Sequence, residues 1–464
     1  MATDNKFQKI GVSVWFLVAA VLWSATGSAA EPKASADLHK IRHIVVIYME
    51  NRSFDNLYGL FPGANGLSRA GAAATQVEKD GTPYKTLPPV LDIQVNPPVV
   101  DTRFPLQLPN APFRIDQYVP ADQAHGDLVH NFYNEQMQID GGKMDKYVAW
   151  SNAGAMTMGY YDGSQSLLWR YAQKYTLADN FFHASFGGSF SNHFWMVCAC
   201  MPRYENAPPD MVSELDAKGL PVKERQITPD GYAVNTTQSV HMPHSSAITD
   251  PRRLLPPQKG DTIGDRLTAK GVTWAWYSGG WNDAIKGKPD PSFQFHHQPL
   301  AYFEQFADGT AKRRRHLRDG ADLNADIANG RLPKVVFFKP LGSENQHPGY
   351  ATVAKGDEVA ANLIERIRKS RYWHETAIIL TYDENGGLWD HVAPPKVDRW
   401  GPGTRVPTLI ISPYAKKGYI DHTLYDTTSI LKFIEHRFDL APLGTRDAAA
   451  NDLTNAFTFS SGQP

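Results

Sequence analysis

Residues 39–48 read His-Lys-Ile-Arg-His-Ile-Val-Val-Ile-Tyr, and Met49-Glu50-Asn51-Arg52-Ser53-Phe54-Asp55 follows directly. The first stretch ends in consecutive apolar residues, which is the pattern of a β-strand buried on both faces. Such strands belong to parallel sheets, whose ligands bind beyond the carboxyl ends of the strands. The polar residues after Tyr48 are therefore the first candidates for chemistry.

Apolar runs of the same kind recur along the chain, at Val272–Tyr277, Val335–Phe338, Ala377–Tyr382 and Thr408–Ile411. Helical patterns separate them, at Asp261–Lys270, Asp357–Lys369 (with Asp357 as the predicted N-cap) and Thr427–Phe438. Strands that alternate with helices predict a three-layer α/β/α sandwich with a mostly parallel sheet.

The length of the chain, 464 residues with 42% hydrophobic content, allows a large buried core. Two stretches near 62–120 and 201–260 are rich in Pro, Gly and short polar residues and interrupt the alternation. Loops this long inside a domain are usually lids or insertions. We therefore predict one domain over residues 31–464 with two insertions.

The N-terminus has the order of a signal peptide over residues 1–30. Lys6 and Lys9 precede an apolar run from Val12 to Trp23, and small residues follow at 28–30. A membrane anchor is the alternative, but the run is shorter than the roughly 20 residues that span a bilayer. We predict an exported protein, periplasmic or secreted, with no membrane span after cleavage.

Charge and cysteine content exclude several classes of function. Lys and Arg total 47 and Asp and Glu total 48, so no global basic field exists and we expect no nucleic-acid partner. Cys198 and Cys200 are the two cysteines. In a strand or helix their side chains would diverge, so we predict two buried free thiols rather than a disulfide, redox or metal site.

Paired oxygen donors follow two of the predicted strands. Glu50-Asn51 follows the first, and Asp383-Glu384 follows Ala377–Tyr382. Oxygen donors from two strands suit a divalent metal ion, provided that each strand breaks into a turn, as Gly386-Gly387 indicates. One such pair alone is equally explained by a helix cap or a solvated turn.

Four histidines, His130, His296, His297 and His347, lie in polar stretches near predicted strand or helix ends. Imidazoles that gather around a metal can bind phosphate oxygens and protonate a leaving group. A lone histidine is usually structural, and the sequence does not show that these four meet.

Gly187-Gly188-Ser189-Phe190-Ser191-Asn192-His193 is the candidate nucleophile segment. Glycines before a helix allow backbone N–H groups to face an anion, and contact with a metal could activate Ser189. Spacing alone favours a different role, with Ser189 as the N-cap of a helix through Phe194–Cys200. The segment is neither Gly-x-Ser-x-Gly nor a P-loop.

These residues resemble the bacterial acid phosphatase and phospholipase C family of phosphoesterases, within the alkaline-phosphatase-like superfamily. Its specific motifs are Glu50-Asn51-Arg52-Ser53-Phe54-Asp55 and Tyr382-Asp383-Glu384-Asn385-Gly386-Gly387, with Asp390-His391 downstream. Further matching blocks are His130–Asp145, Ala178–His193, Phe293–Pro299, Lys339–Gly349 and Arg405–Glu435.

The resemblance implies roles for individual residues. It implies that Glu50, Asn51, Asp383 and Glu384 hold a divalent metal ion together with the nucleophile Ser189. It also implies that His130, His297 and His347 act at the phosphate, and that His296, Asp390 and His391 help to bind the substrate. Family members carry Asp or Glu at the position of Glu384, which leaves the identity of the metal open.

The resemblance is closer to the acid phosphatase branch, because of Gly-Gly-Ser-Phe at 187–190 and Phe293–Pro299. We therefore expect hydrolysis of small phosphomonoesters through a phosphoserine. A phospholipase C that acts on phospholipid head groups is the alternative, with an apolar mouth built from Trp274, Trp276, Tyr277 and Trp281. A non-enzymatic exported protein that binds a metal or an anion is a further alternative. The Cys-x-Pro-x-Arg motif of sulfatases is absent from the sequence.

Overall fold

Eight strands form the central sheet of the computed structural model, which describes Met1 and residues 37–459. They are β1 (His43–Met49), β2 (Thr176–Ala178), β3 (Trp274–Ser278), β4 (Leu317–Asp319), β5 (Val335–Lys339), β6 (Thr376–Tyr382), β7 (Thr408–Ile411) and β8 (Tyr419–Asp421). Across the sheet their order is β4-β3-β5-β1-β6-β7-β2-β8.

Most neighbouring strands of the sheet run parallel. β1 pairs in parallel with β5 and β6, β3 with β4 and β5, and β8 with β2. β7 is antiparallel to both of its neighbours, β6 and β2. The prediction of an α/β fold with a mostly parallel sheet is confirmed.

The burial of β1 explains its continuous apolar sequence. All seven residues of the strand are buried, and Ile44, Val45, Val46 and Ile47 are fully inaccessible. Side chains alternate between the two faces of a strand, so both faces of the sheet are covered at β1. Each fully buried aliphatic side chain contributes about 1.5–3 kcal/mol.

Eleven α-helices occur in the described residues. They are α1 (Phe54–Tyr58), α2 (Phe132–Ile139), α3 (Leu167–Lys174), α4 (Ser189–Cys198), α5 (Ile263–Ala269), α6 (Trp281–Ala284), α7 (Ala311–His316), α8 (Gly320–Ala328), α9 (Val353–Arg368), α10 (Thr427–Phe438) and α11 (Thr445–Ala449). None of the described helices has both the length and the apolar character needed to cross a bilayer.

The predicted N-cap of α9 is wrong. Thr352 caps this helix by accepting from the backbone N–H of Lys355, so α9 begins four residues before Asp357. The Asp357 carboxylate instead accepts from the N–H groups of Leu167 and Leu168, at the start of α3. The acidic side chain therefore stabilises a helix N-terminus, but that of another helix.

The two predicted insertions contain only short strands and 3-10 turns within the described residues. In the first, Thr86–Leu87 pairs with Leu108–Pro109 and Leu91–Asp92 with Val99–Val100, while Phe113–Arg114 pairs with Gly159–Tyr160. In the second, Glu214–Leu215 pairs with Pro221–Lys223. Outside both insertions, a further small pair joins Phe181–Phe182 to Tyr425–Asp426. The described residues 37–459 belong to one compact unit, and the predicted signal peptide, apart from Met1, lies outside the described residues.

The prediction of two free thiols is also wrong, because Cys198 and Cys200 form a disulfide with their Cα atoms 5.1 Å apart. Helix α4 ends at Cys198, and Ala199 adopts the left-handed conformation with φ +49°. Neither a helix nor a strand continues through Ala199, so the two side chains turn toward each other.

Candidate active site

The site lies where the carboxyl ends of β5, β1 and β6 meet. Glu50 and Asn51 follow β1, Asp383 and Glu384 follow β6, and Lys339 is the last residue of β5. Because these three strands are parallel neighbours, the side chains meet at the edge of the sheet that the sequence predicts.

The strands break where the two donor pairs begin. Asn51 has φ +59°, and Gly386 has φ +64°. A Cβ atom on Gly386 would lie 2.7 Å from the carbonyl oxygen of Asn51, so the close approach of the two turns requires glycine. The backbone N–H of Asn51 donates to the Asp383 carboxylate at 3.2 Å.

Ser189 is the first residue of α4, and Gly188 occupies the N-cap position. The interpretation of Ser189 as a helix cap therefore does not hold. Its hydroxyl oxygen lies 3.2 Å from both Asn51 Oδ1 and Glu384 Oε1, and the hydroxyl can donate a hydrogen bond to either. The side chain is buried but lines a cavity that opens to solvent.

Glu135 fixes the loop that precedes Ser189. Its Oε2 accepts from the backbone N–H of Gly187 at 2.6 Å, and its Oε1 lies 2.9 Å from His183 Nε2. Burial raises the pKa of Glu135, but the charge of His183 and hydrogen bonds from His183 and Thr404 outweigh it and hold the pKa below its usual range. Sequence reasoning missed this pair, which joins α2 to the nucleophile loop.

Glu50 is held from two sides. Its Oε1 lies 2.7 Å from His297 Nε2, and its Oε2 accepts from the side-chain amide of Asn345. The indole N–H of Trp276, on β3, donates to the carbonyl oxygen of His297 at 2.7 Å. Core residues of the sheet thereby position the His297 ring against Glu50.

Lys339 is a buried cation that sequence reasoning missed. Its Nζ lies 3.0 Å from Asp383 Oδ2, 3.9 Å from Glu50 Oε1, and donates to the carbonyl oxygen of Met49 at 3.1 Å. A lysine that ends an apolar run was the available signal, because such a charge is buried only when it is paired.

The donor set fits a divalent cation. Glu50, Asp383 and Glu384 are buried carboxylates in a small volume that also holds Lys339. Burial raises the pKa of Glu384 to about 8, and Asp383 adds to the rise, while His130 opposes it. The raised pKa means that an ionised Glu384 is unfavourable here, a cost that a bound cation would offset, and hard oxygen donors are the ligands that divalent cations prefer.

The structure brings His130 and His347 together at Asn51. Their Nε2 atoms lie 3.4 Å and 3.0 Å from Asn51 Nδ2. Burial lowers the pKa of His130, but the Glu384 and Asp127 carboxylates outweigh burial and raise the pKa to about 9. His347 stacks on the ring of Tyr350 at 4.1 Å.

His296 lies beside His297, with ring centroids 4.9 Å apart. Burial lowers the pKa of both rings below the usual histidine value, and the Glu50 carboxylate opposes that shift. Within the described chain, Nε2 of His296 has no hydrogen-bond partner although it is buried. A buried polar atom without a partner at the wall of a cavity is available to a ligand.

Asp390 and His391 lie in a separate cluster. Asp390 is bound by the Arg405 guanidinium at 2.8 Å, and His391 Nδ1 lies 2.5 Å from Asp55 Oδ2. The other Asp390 oxygen accepts from the backbone N–H of Asp55 in α1. Their polar atoms are thus used to hold α1, and this placement does not support the substrate-binding role that the resemblance implies.

The cavity above Ser189 has a volume of about 220 Å³. It is lined by Glu50, Asp127, His130, Asn131, Gly188, Ser189, Phe190, Asn235, Thr236, Gln294, His296, His347 and Tyr350. The aromatic residues proposed for an apolar mouth, Trp274, Trp276, Tyr277 and Trp281, are instead buried in the core.

A serine, buried carboxylates and histidines around a small polar cavity are the parts of a hydrolase active site. Residues 41–441 match the Phosphoesterase family, and the chain belongs to that family.

Curated relatives include "Phospholipase C A" of Mycobacterium tuberculosis, 26% identical, with 95% of this chain and 81% of the relative covered. "Non-hemolytic phospholipase C" of Burkholderia pseudomallei is also 26% identical, over 92% of this chain and 60% of the relative. Among solved structures, a protein in the alkaline phosphatase superfamily from Vibrio parahaemolyticus matches with a TM-score of 0.33 and 11% identity, over 71% of this chain and 73% of that one.

Proposed function

We propose that this chain hydrolyses small phosphomonoesters and that Ser189 is the nucleophile. One observation carries the proposal: the Ser189 hydroxyl meets Asn51 and Glu384 at 3.2 Å on the floor of the polar cavity. Ser189 also begins α4, whose free N–H groups and dipole favour a bound anion.

The proposed ligands of a divalent metal ion are the buried oxygen donors of Glu50, Asn51, Ser189, Asp383 and Glu384. When bound, such an ion lowers the pKa of a hydroxyl and offsets the negative charge of the phosphate. Lys339 and His297 fix the orientation of Asp383 and Glu50, so that their carboxylates are held before the substrate arrives.

The proposed reaction consists of two in-line displacements. Ser189 gives up its hydroxyl proton to water in the cavity, and its Oγ forms a bond to phosphorus while the bond from phosphorus to the alcohol oxygen breaks. His130, which is partly exposed beside Gly188, donates a proton to the departing oxygen. Water then attacks the phosphoserine and gives a proton to His130, the bond from phosphorus to Ser189 Oγ breaks, and Ser189 takes a proton from water as inorganic phosphate is released. His347 and His296 face the equatorial oxygens from the cavity wall.

A phospholipase C activity is the second candidate, because the curated relatives carry that name. The cavity of about 220 Å³ with its polar wall favours a small hydrophilic monoester. Values of kcat/KM for glycerol phosphate and for phosphatidylcholine in mixed micelles distinguish the two. A higher value for phosphatidylcholine would reverse the proposed preference.

The first test compares Ser189→Ala with Ser191→Ala. Ser191 lies two residues along the same helix, and its hydroxyl donates to the carbonyl oxygen of Gly188. We expect Ser189→Ala to lower kcat roughly a thousandfold or more, because no other group forms the bond to phosphorus. Ser191→Ala should keep most of the activity. Near-wild-type turnover by Ser189→Ala would exclude the nucleophile role.

We also propose that residues 1–30 direct export, from their charged, apolar and small-residue order. N-terminal sequencing of the protein from the periplasm or the medium should begin near Glu31. Recovery of the protein only in the cytoplasmic fraction would contradict export.

A further inference from the structure

The cavity has a buried floor and an exposed rim. The floor holds Ser189, His296 and His347, which are buried, whereas Asp127 and Thr236 on the rim are exposed. A phosphate that reaches Ser189 must lie on the floor. The leaving alcohol of the ester then points toward the rim, where it meets a different set of side chains.

The rim contains neutral polar groups and one carboxylate. Amides and hydroxyls come from Asn131, Asn235, Thr236 and Gln294, and the carboxylate belongs to Asp127, whose side chain is 44% exposed. Among the described residues that line the cavity, none is a lysine or an arginine. A second anionic group on the leaving alcohol would therefore meet no lysine or arginine there, and the His130 imidazole already faces the Asp127 and Glu384 carboxylates.

The Asp127 carboxylate is held close to the reacting groups. Its Oδ1 lies 3.5 Å from His130 Nδ1, and its backbone lies against Gly349, where an added Cβ atom would be 3.1 Å from Asp127 Cβ. A charge at this place acts on the leaving group over a few ångströms, inside a partly closed cavity where water screens it incompletely.

We propose that Asp127 determines specificity by charge: it disfavours esters whose leaving alcohol is anionic and favours those whose leaving alcohol is cationic. The inference rests on the proposed phosphomonoesterase function and names the substrate class of the same site. Asp127 acts on the leaving alcohol through space, and neither transfers a proton nor forms a bond.

The experiment uses three phosphomonoesters of similar size: phosphoethanolamine (a cationic leaving alcohol), glycerol phosphate (neutral) and phosphoglycolate (anionic). Values of kcat/KM are measured for the wild type, Asp127→Asn and the control Asp37→Asn. Asp37 is an exposed carboxylate before the amino end of β1, opposite the end that leads to Glu50. Both variants lose one negative charge, but only one loses it at the rim.

For Asp127→Asn we expect the ratio of phosphoglycolate to glycerol phosphate to rise roughly three- to tenfold at low ionic strength, and the ratio of phosphoethanolamine to glycerol phosphate to fall similarly. In 0.5 M salt, which screens the charge, both ratios for Asp127→Asn should approach the ratios for Asp37→Asn. Division by the neutral ester cancels any loss that arises through His130, since such a loss affects all three esters.

The outcomes separate the two proposals. If the wild type hydrolyses the esters and both ratios stay within about twofold in Asp127→Asn, the charge-selection proposal is overturned and the proposed function stands. If the purified wild type, supplied with divalent metal, hydrolyses none of the three esters, both proposals are overturned. If Asp37→Asn changes the two ratios as much as Asp127→Asn does, the proposed role of the rim is also overturned.

Discussion

Lys339 shows how single residues at this site depend on charges that come from other strands. The ammonium is fully buried between Asp383 and Glu50. Removal of one member of a buried ion pair leaves an uncompensated charge, which costs more than the pair itself contributes.

The change Lys339→Met should therefore lower the free energy of unfolding by about 3–5 kcal/mol. Urea denaturation of the metal-free protein measures the free energy of unfolding. Lys355→Met is the control, because Lys355 is half exposed on α9 and pairs with Glu358 on the surface. A loss below about 1 kcal/mol for Lys339→Met would contradict the account of the buried pair.

Some site residues could be predicted from the sequence and others could not. Glu50, Asn51, Asp383 and Glu384 directly follow apolar strands, and parallel strands bring such residues together. Lys339 and Glu135 were missed because their partners lie far away in the chain, Asp383 for one and His183 for the other, and a lysine at the end of an apolar run does not show which carboxylate pairs with it. Tertiary packing alone creates those contacts.

At the scale of elements, the nucleophile loop between the Phe181–Phe182 strand and α4 depends on Gly187. Its φ is +82°, and an added Cβ atom would lie 2.5 Å from the backbone nitrogen of Phe132 in α2. Backbone atoms cannot move aside as the end of a flexible side chain can. The loop therefore requires glycine both for its conformation and for the space that it occupies.

We expect Gly187→Ala to cost at least about 1 kcal/mol more stability than Gly219→Ala and to lower kcat at least tenfold, because the loop carrying Ser189 would shift. Gly219 is the matched control, since its φ is +78° and nothing lies within 4 Å of its added Cβ atom. Thermal unfolding and initial rates measure both effects. Equal stability and activity of the two variants would show that the contact with α2 does not matter.

Element boundaries were predictable where local signals act alone. The predicted α10, Thr427–Phe438, agrees with the structure, and its N-cap Asp426 precedes it directly. The start of α9 was misplaced because Thr352, and not Asp357, caps this helix, and packing assigns Asp357 to α3. The disulfide was missed because it depends on the left-handed conformation of Ala199.

At the scale of the whole molecule, stability should depend on pH through a buried pair of carboxyl groups. Glu435 in α10 faces Asp447 in α11, and both side chains are buried. Burial raises the pKa of Glu435 to about 9, and Asp447 adds to the rise. The folded protein therefore binds the carboxyl proton of Glu435 more tightly than the unfolded chain does.

The sign of the effect follows from the raised pKa. The stabilisation is fully present below the ordinary glutamate pKa of 4.5 and is lost as the pH rises toward 9, by about 1.4 kcal/mol per pH unit. The Glu435→Gln variant keeps the shape without titrating, so its free energy of unfolding should fall less steeply than that of the wild type between pH 5 and 8. Parallel slopes for wild type and Glu435→Gln, with the exposed Glu358→Gln as control, would contradict this account.

The central claim, a phosphoryl group carried by Ser189, is tested most directly by trapping it. Wild-type protein is mixed with radiolabelled phosphomonoester, quenched in acid within the first turnovers, and digested for peptide mapping. We predict that the label is acid-stable and lies on Ser189, in the peptide that contains Gly187 and Gly188, and that Ser189→Ala acquires none. A label on another serine, or a label that survives an alkaline quench but is lost in acid, as that of a phosphohistidine is, would contradict the claim.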